Sequence, residues 1–558
     1  MILENLGNLF TFIGGLGMFL YGMNLMADGL QKSAGNKMKQ LLGYLTNNRL
    51  LGVLMGAFIT AIIQSSSATT VMVVGFVNAG ILNLTQAVGV IMGANIGTTA
   101  TAWIVSASEW AAFLKPEFLA PLFVGTGVFL LVFTKGVRKH QIGEIIVGFG
   151  LLFIGLSFMS DSVSVYKDSP IFAKAFSVLG GNPILGILVG AVVTAIIQSS
   201  SASVGILQTL AANGIVNWRS AIFITLGQNI GTCITAIISS AGANKTAKRA
   251  AGIHLLFNVA GAVIFGFIMF FVFLVFPELA ASHINKTEIS IFHTIFNVTN
   301  TIILFPFASL LVKLSGKLVR GSEEEEQVKE KEEDIVLKHL DERILRTPSL
   351  AVENAVEEVV RMGEIVLEST KEVMDILCDK KKTSKENIQK IFDREKNINK
   401  LETAITEYLV KINNLSITEE QHELVNHLFY TVSDMERVGD HAENLAEFAQ
   451  YRQEHDFTFS DNGECELKEI CQIVYNSFHN SILARKTENI EYVKNVAKLE
   501  EEVDNLEEEL REKHIERLSQ GKCEAQAGVI FLDIISNLER ISDHAQNIAG
   551  YVRDEKMA

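Results

Sequence analysis

Residues 51–70 read LGVLMGAFITAIIQSSSATT, and residues 185–204 read LGILVGAVVTAIIQSSSASV. Downstream of each copy, GANIGTT at 93–99 matches GQNIGTC at 227–233 at the same offset of 134 residues. Both copies are apolar runs that Gln-Ser-Ser-Ser interrupts. Interrupted backbone at membrane depth is tolerated only where protein buries it or where it lines a wet cavity. We therefore expect a duplicated, broken membrane helix, with repeats at about 51–105 and 185–238.

Further apolar segments flank the two copies. A helix needs about 20 apolar residues to cross a hydrocarbon core of about 30 Å. Segments that fit one crossing each lie at 7–30, 85–105, 118–134, 141–160, 219–240, 250–276 and 290–312. Segments 51–82 and 184–214 are too long for one crossing, so we expect two re-entrant hairpins there. Because three crossings separate the hairpins, the second copy is inverted relative to the first, which is the usual architecture of secondary transporters.

Loop charges predict the orientation, since Lys and Arg favour the cytoplasmic side. Basic residues cluster in four loops, at 31–50, 135–139, 245–249 and 313–320. Placing all four inside puts the N-terminus outside and everything after residue 320 in the cytoplasm. No cleavable signal peptide is evident, so we expect the first apolar run to remain as a span. The sequence thus predicts a multi-pass protein surrounded by membrane lipid.

Charge is divided unevenly along the chain. Residues 1–320 hold 18 Lys and Arg against 9 Asp and Glu, whereas residues 321–558 hold 30 against 54. This division excludes a single soluble globular enzyme and a collagen-like or disulfide-rich secreted protein. The acidic half argues against nucleic acid as a partner, because phosphate backbones attract basic surfaces. The five Cys residues form no CxxC pair, and we expect incidental, reduced thiols.

The repeated Gln-Ser-Ser-Ser motif suits an anion together with a cation. A helix break frees backbone N–H groups at the start of the next half-helix, where the helix dipole also favours an anion. Ser hydroxyls can donate to an oxyanion or offer lone pairs to a cation, and freed carbonyls suit sodium. No Lys, Arg, His, Asp or Glu lies between Leu51 and Ser108, and only Arg219 lies between Leu185 and Ala243. Co-bound cations would offset the anion's charge, and the lack of a proton carrier beside the motif favours sodium.

A Ser-rich stretch can also be a helix-packing surface, since small polar residues let helices approach closely. Repetition at one register of an inverted repeat favours a binding site. For the matching GxNIGT segments, a site role and a Gly-rich packing face are both open. The candidate substrate and sodium ligands are Gln64, Ser65, Ser66, Ser67, Asn95, Thr98, Gln198, Ser199, Ser200, Ser201, Asn229 and Thr232.

The doubled QSSS with two GxNIGT segments resembles the type II sodium/phosphate cotransporter family over about residues 7–312. The resemblance implies sodium-coupled transport of inorganic phosphate, with Gln64–Ser67 and Gln198–Ser201 meeting at the substrate site. Animal members of that family carry a large glycosylated outer loop between the copies, whereas the predicted outer loop at 161–182 is short. The chain therefore resembles the bacterial branch, which implies a bacterial plasma (inner) membrane location.

The acidic half predicts a separate helical domain. We place a transmembrane domain at 1–315, a charged linker at 316–340 and the helical domain at 341–554. Apolar residues there recur at helical spacing between turn signals, which predicts a bundle of about six long helices. MERVGDHAENLAE at 435–447 matches LERISDHAQNIAG at 538–550. We therefore expect two repeats of three helices each.

Acidic side chains recur four residues apart in these repeats, a pattern that fits either a metal site or a solvated acidic face. The doubled pattern resembles the PhoU-like domain of bacterial phosphate regulation over about 341–554. The resemblance implies a phosphate-sensing regulatory role and a divalent or trivalent metal. It extends to Glu436, Asp440, Glu500, Asp504, Glu539 and Asp543. The first repeat departs from the pattern, because Asn399 stands four residues after Glu395. His441 and His544 are expected to be structural rather than ligands.

The leading hypothesis is a sodium-coupled phosphate transporter with a fused cytoplasmic regulatory domain. Carriers are reversible, so a phosphate exporter of the same fold is one alternative, and a membrane-tethered phosphate-signalling protein is another. No constellation of nucleophile, base and orienting group stands out, so an enzyme is not expected. The expected partners are inorganic phosphate, sodium, membrane lipid, a second copy of the chain in a homodimer, and phosphate-regulatory proteins.

Overall fold

The computed structural model describes residues 2–43, 48–110, 116–166, 174, 178, 182–319, 340–379, 383–455, 458–522 and 524–557. No β-strand occurs among these residues, which confirms the predicted all-α class. The chain divides into two units, Met1–Glu330 with Asp341–Leu350, and Lys331–Leu340 with Ala351–Ala558. The first unit thus includes a segment that the sequence assigned to the second domain. The predicted charged linker lies mostly outside the described residues.

The first unit holds the two repeats and the helices around them. In chain order the helices are α1 (Ile2–Gly43), α2 (Arg49–Ile63), α3 (Ser66–Asn78), α4 (Leu84–Gly97), α5 (Thr99–Val105), α6 (Ala107–Trp110), α7 (Pro116–Phe133), α8 (Val137–Ser164), α9 (Pro183–Ile197), α10 (Ser200–Ala212), α11 (Trp218–Ser239), α12 (Lys245–Val275), α13 (Pro277–Ala281), α14 (Lys286–Leu304) and α15 (Ala308–Leu318). Among the described residues, six helical runs are long and apolar enough to cross a membrane.

These six runs coincide with six of the seven predicted single crossings. The seventh, predicted at 118–134, corresponds to a shorter apolar helix within α7. Two predicted spans are not continuous α-helices. The span at 85–105 is interrupted at Thr98, and the span at 290–312 is interrupted by a 3₁₀ turn at Phe305–Phe307. The second interruption contains Pro306, which has no N–H to donate to the helical ladder.

Each Gln-Ser-Ser-Ser motif breaks its helix in the same way. Gln64 follows α2 with φ of 56°, and Gln198 follows α9 with φ of 57°, so both adopt the left-handed conformation. The half-helices contain 15 residues before each break and 13 after it. At 1.5 Å per residue they are about 22 and 20 Å long, shorter than a hydrocarbon core of about 30 Å. Their lengths fit re-entrant hairpins, whose placement in a bilayer stays a prediction.

The half-helices of each pair fold back on one another. The Thr60 hydroxyl donates to the Thr69 hydroxyl across the first break, with an oxygen–oxygen distance of 3.0 Å. The equivalent bond in the second repeat runs from Thr194 to Ser203 and measures 2.8 Å. Because both bonds join residues at the 134-residue offset, the two hairpins share one internal geometry.

Close helix packing holds each hairpin against the following helix of its repeat. A Cβ atom at Gly93 of α4 would overlap the Val53 carbonyl oxygen of α2. A Cβ atom at Gly227 of α11 would overlap the Ile187 carbonyl oxygen of α9 in the same way. Only glycine permits such an approach, which is typical of helix pairs in membranes.

The second unit contains the six helices that the sequence predicts. They are α16 (Pro348–Cys378), α17 (Lys385–Asn413), α18 (Glu419–Glu454), α19 (Asp461–Thr487), α20 (Ile490–Ser519) and α21 (Ala525–Met557). Each helix buries one apolar face. In α17, for example, Ile391, Ile398 and Ile405 recur every seven residues and are buried. The almost fully buried Arg485 of α19 forms a bidentate ion pair with Glu555 of α21. Apolar packing and this pair together join the helices into a bundle.

A short segment at the end of the first unit, which we call the clasp (residues 341–344), bonds to helix ends from both repeats. Asp341 accepts a hydrogen bond of 2.8 Å from Asn78, the last residue of α3. Arg343 donates to the Ser239 carbonyl at the end of α11, at 2.6 Å, and to Asp341 at 2.7 Å. Ile344 is fully buried. The clasp thus joins α3 of the first repeat to α11 of the second.

Candidate functional site

The two Gln-Ser-Ser-Ser motifs meet inside the first unit. Ser66 begins α3 and Ser200 begins α10, and their hydroxyl oxygens lie 3.5 Å apart. Both side chains are buried, with exposed fractions of 4% and 8%. Two segments that are 134 residues apart in the chain therefore come together at one buried place in the first unit.

Capping fixes the start of each second half-helix. The Ser65 hydroxyl accepts a hydrogen bond of 3.1 Å from the Ala68 N–H. The Ser199 hydroxyl accepts one of 3.2 Å from the Ala202 N–H. Each motif therefore uses its first Ser to begin the helix, and its second and third Ser lie in the first turn.

The first turns of α3 and α10 contain backbone N–H groups that make no hydrogen bond within their own helix. The helical bonds begin with Thr69 donating to Ser65 and with Ser203 donating to Ser199. N–H groups that precede these bonds have no acceptor within their own helix. They belong to Ser66, Ser67, Ser200 and Ser201. Two positive helix ends, whose first N–H groups have no acceptor within their own helices, thus converge, which is an arrangement suited to an anion.

Thr101 of α5 connects the two motifs. Its hydroxyl donates to the Gln64 side-chain oxygen at 3.0 Å and accepts from the Ser201 hydroxyl at 3.2 Å. All three side chains are buried, and the Gln64 amide nitrogen donates to the Ala61 carbonyl. Sequence reasoning missed Thr101 because it lies outside the QSSS and GxNIGT motifs.

The two motifs differ in their surroundings although their sequences agree. Gln64 is 6% exposed and bonded to Thr101, whereas Gln198 is exposed. Thr235, which follows Thr101 by the 134-residue offset, donates instead to the Thr232 carbonyl of its own helix at 3.0 Å. The Gln side chain of the first motif is therefore buried, and we call that motif closed. The Gln side chain of the second motif is exposed, and we call that motif open.

The GxNIGT segments bond within their own helices. Asn95 donates to the Ile91 carbonyl at 2.8 Å, and Asn229 donates to the Thr225 carbonyl at 3.0 Å. The Thr98 and Thr232 hydroxyls likewise bond to the carbonyl four residues earlier. These bonds, with the glycine contacts of α4 and α11, favour the packing interpretation. A ligand role for the four side chains stays a prediction.

A second repeated motif escaped the sequence analysis. HLLFN in α12 places His254 beside Asn258, and HTIFN in α14 places His293 beside Asn297. All four side chains are buried. Within the described residues, both carboxamide oxygens, both His254 ring nitrogens and His293 Nδ1 lack a hydrogen-bond partner. Buried polar groups of this kind usually bond to ordered water or to an ion.

The prediction of sodium coupling rested on the lack of a proton-carrying side chain in residues 51–108 and 185–243. Both histidines lie outside those two segments. The repeated HxxFN spacing was the signal that could have revealed them. At the meeting point itself, the hydrogen bonds of the two QSSS motifs among the described residues involve only uncharged groups. Any anion bound there would thus be held by hydrogen-bond donors and helix dipoles.

In the second unit, three of the predicted metal ligands converge. Glu500 and Asp504 of α20 and Asp543 of α21 each offer an oxygen within 4.8 Å of the others. Burial, followed by repulsion from Asp504 and Asp543, raises the pKa of Glu500. Burial and repulsion from Asp504 also raise the pKa of Asp543. An all-oxygen set of mutually repelling carboxylates fits a hard cation.

Glu539 lies beside this group, since burial and then Asp543 and Asp504 raise its pKa. In the first repeat, burial and then Asp440 raise the pKa of Glu436. Within the described residues, however, no third ligand atom converges with that pair. The first repeat has Asn399 at the position where the second repeat has the candidate ligand Asp504. This missing carboxylate is the physical reason for the difference between the repeats.

The two histidines of the matching segments have structural partners. His544 bonds to Asp434 at 2.7 Å, and Asp434 also accepts from the Tyr551 hydroxyl at 2.9 Å. His441 bonds to Asn537 at 2.9 Å. Each contact joins α18 to α21, as expected for side chains that fix helix packing.

Comparison with known families gives two matches. The family model described as Na+/Pi-cotransporter matches residues 18–161 and 169–280. The PhoU domain model matches residues 359–449 and 467–552. Both pairs of matched segments correspond to the duplications seen in the sequence.

Similar curated proteins cover both parts of the chain. YjbB of Escherichia coli K12, described as a candidate inorganic phosphate export protein, is 25% identical over 552 residues, 98% of each chain. YqeW of Bacillus subtilis is 31% identical over 319 residues, 56% of this chain and 98% of that protein. Human sodium-dependent phosphate transport protein 2B is 33% identical over 105 residues, 18% of this chain and 15% of that protein. A crystal structure of PhoU from Pseudomonas aeruginosa matches with 22% identity and a TM-score of 0.35, covering 37% of this chain and 97% of that one.

The chain belongs to the Na+/Pi-cotransporter family and carries a PhoU domain in its acidic half. It is a multi-pass membrane protein of a phosphate-transporter family and not an enzyme, as the sequence predicted.

Proposed function

We propose that the chain carries inorganic phosphate coupled to sodium, and that its substrate site lies where Ser66 and Ser200 meet. One observation supports this most strongly: two half-helix N-termini face each other there with uncharged hydroxyl and N–H donors. Relatives named sodium-dependent phosphate transport proteins add support for sodium.

Phosphate would accept hydrogen bonds from the Ser hydroxyls and from backbone N–H groups of both first turns. Sodium ions would offset its charge, since an unpaired anion is costly in a dry interior. Their oxygen ligands would come from the same hydroxyls, from the Gln side chains and from carbonyls at the ends of α2 and α9. Each ion species would thus favour binding of the other.

Alternating access would follow from exchange between the repeats. In the described conformation Gln64 is closed against Thr101 and Gln198 is exposed. In the opposite conformation Gln198 would close against Thr235 and Gln64 would open. The substrate would then face the other side of the membrane without moving far itself.

Regulation would reach the repeats through the clasp, which leads directly into α16. The clasp bonds to Asn78 and Ser239, and Asn78 in turn accepts from the Asn244 N–H at 2.9 Å. Under the predicted topology these groups all lie on the cytoplasmic side of a bacterial plasma membrane. A cation bound by Glu500, Asp504 and Asp543 would stabilise the domain that follows. The homodimer and the phosphate-regulatory partners stay predictions.

Net export is a second candidate, favoured by likeness over 98% of both chains to a protein described in terms of phosphate export. The same site serves both directions, because imposed ion gradients decide the net flux of a carrier.

Flux of labelled phosphate through proteoliposomes tests the proposal. We expect saturable phosphate flux that excess arsenate reduces, since arsenate presents the same tetrahedral oxygens. Flux should run in either direction when the gradients are reversed. Vesicles with well-folded protein and no phosphate flux in either direction would contradict a transport function.

A further inference from the structure

Two cysteines of the second unit lie side by side. Cys378 is the last residue of α16, and Cys471 lies within α19. Their thiols share a hydrogen bond, and neither is in a disulfide. They were expected to be incidental, yet they are distant in sequence and come together in the fold.

The pair lines an open cavity of about 720 Å³. Cys378 is half-buried, whereas Cys471 is buried, with 4% of its surface exposed. Lys468 and Gln472 of α19 also line the cavity. A small solute can therefore reach Cys378 before it can reach Cys471.

The surroundings distinguish the two sulfurs chemically. The hydrogen bond from Cys471 lowers the pKa of Cys378, helped by the nearby Lys468 ammonium and opposed by burial, Glu464 and Asp375. The same hydrogen bond, with burial, raises the pKa of Cys471 well above its usual range. Cys378 is thus the better thiolate and Cys471 the protonated neighbour, the arrangement of an attacking and a resolving cysteine.

We propose that Cys378 and Cys471 are a reversible oxidation site that hydrogen peroxide converts to a disulfide. The Cys378 thiolate attacks the peroxide O–O bond, so that an S–O bond forms and hydroxide leaves, which a proton converts to water. The Cys471 sulfur then attacks the resulting sulfenic acid. The S–S bond forms as the S–O bond breaks, and the departing hydroxide takes the Cys471 proton as a second water. Two thiols lose two electrons and one peroxide gains them.

The disulfide would tie the end of α16 to the middle of α19. It closes a loop that contains the whole of α17 and α18. Such a crosslink restricts relative motion of the helices and is undone by a dithiol. The PhoU domain would therefore respond to oxidants independently of any phosphate or metal that it binds.

Peroxide treatment of the full-length protein in detergent tests the site, with free thiols alkylated afterwards and peptides read by mass spectrometry without reduction. We expect a Cys378–Cys471 crosslinked peptide, lighter by two hydrogen atoms and released by dithiothreitol. The exposed Cys465 of α19 is the matched control and should remain alkylatable. In C471S, and in C471A as a second variant, oxidation should stop at a Cys378 sulfenic acid that dimedone traps.

Two results would overturn the proposal. One is oxidation of Cys465 as fast as Cys378, which would mean that the cavity confers no reactivity. The other is a wild-type protein in which Cys378 oxidises to sulfenic or sulfinic acid without linking to Cys471. In C378S we expect Cys471 to stay reduced, because it is buried, and its direct oxidation there would also contradict the assigned order.

Discussion

The anion site proposed at Ser66 and Ser200 has no fixed cation among the described hydrogen-bond partners of the two motifs. A permanent Lys or Arg would bind phosphate strongly whether or not sodium were present. Hydroxyl and N–H donors alone leave the anion's charge uncompensated, so under the proposed function bound sodium would be a condition for phosphate binding. The uncharged character of the meeting point would then be the physical basis for coupling.

We predict that Ser66→Ala and Ser200→Ala each lower phosphate transport about tenfold or more. Each change removes a hydrogen bond to a charged ligand, a loss of about 1.5–3 kcal/mol. Initial uptake rates in proteoliposomes measure the effect. Ser162→Ala is the matched control, because within the described residues that buried Ser bonds to carbonyls of its own helix α8. Wild-type rates in both site variants would remove the serines from the site.

At this scale the sequence predicts part of the site and misses the rest for a physical reason. The QSSS serines are recognisable because both copies keep the whole motif. Thr101 is not, because only the fold brings it to Gln64 and Ser201. The different surroundings of Gln64 and Gln198 could not be predicted either, since identical motifs differ there only in conformation.

At the scale of elements, the two repeats are one structure in two conformations. Each contains a broken helix that folds back and packs through glycine against the following helix. Only the first is closed through α5. Under the proposed alternating access, the repeats would exchange these conformations at little cost, because both conformations are adopted by the same repeated sequence.

We predict that Thr235→Val slows transport about as much as Thr101→Val does. Thr101 bonds to Gln64 in the described conformation, whereas Thr235 bonds only to its own helix. If the repeats exchange conformations, each Thr hydroxyl bonds to the Gln of its own repeat in one half of the transport cycle. Loss of that hydrogen bond costs about 1–3 kcal/mol in that half. Turnover in proteoliposomes is the measurement.

Thr126→Val is the control for that pair, since the exposed Thr126 bonds only within α7. A Thr235→Val protein with wild-type turnover, beside a slow Thr101→Val protein, would show that the second motif never closes as the first does.

We predict that Arg343→Ala raises transport about two- to tenfold. The change removes bonds to Ser239 and Asp341, and a loss of about 0.5–1.5 kcal/mol from one conformation speeds its exchange by that factor. Arg346→Ala is matched to it, because Arg346 is an exposed Arg at the end of the 3₁₀ turn Glu342–Arg346, which also contains Arg343. If Arg343→Ala transports no faster than Arg346→Ala, the clasp does not restrain the repeats.

The sequence predicted most of the elements and none of the clasp. Hydropathy and repeat spacing located the membrane helices, and turn residues located the six helices of the bundle. The breaks at Thr98 and Phe305–Phe307 were missed because apolar composition continues through them. The clasp was missed because Asp341 and Arg343 were assigned to the start of the second, helical domain, and only tertiary contacts show their partners.

At the scale of the whole molecule, a transport unit is fused to a domain that carries clustered carboxylates. In Glu500, Glu539 and Asp543 the raised pKa means that the folded state binds protons more readily than the unfolded chain. Their burial and mutual repulsion therefore cost stability increasingly as pH rises through those raised pKa values. A bound cation would reverse that cost at neutral pH.

We predict that Mn²⁺ binds the full-length protein more tightly at about pH 8 than at about pH 5, because protons compete for the same carboxylates. Isothermal titration measures the affinity and the protons released. Asp504→Asn should abolish binding, whereas Glu436→Gln, in the repeat without a third converging ligand, should preserve it. Equal affinity at both pH values, or equal loss in both variants, would rule out this site.

Sodium dependence of phosphate flux tests the central claim most directly. Reconstituted wild-type protein should take up labelled phosphate against its gradient when an inward sodium gradient is imposed, and Ser200→Ala should not. Replacing sodium with choline on both sides should abolish the concentrative uptake, because sodium is the charge proposed to offset the anion at Ser66 and Ser200. Unchanged concentrative uptake in choline would contradict sodium coupling at that site.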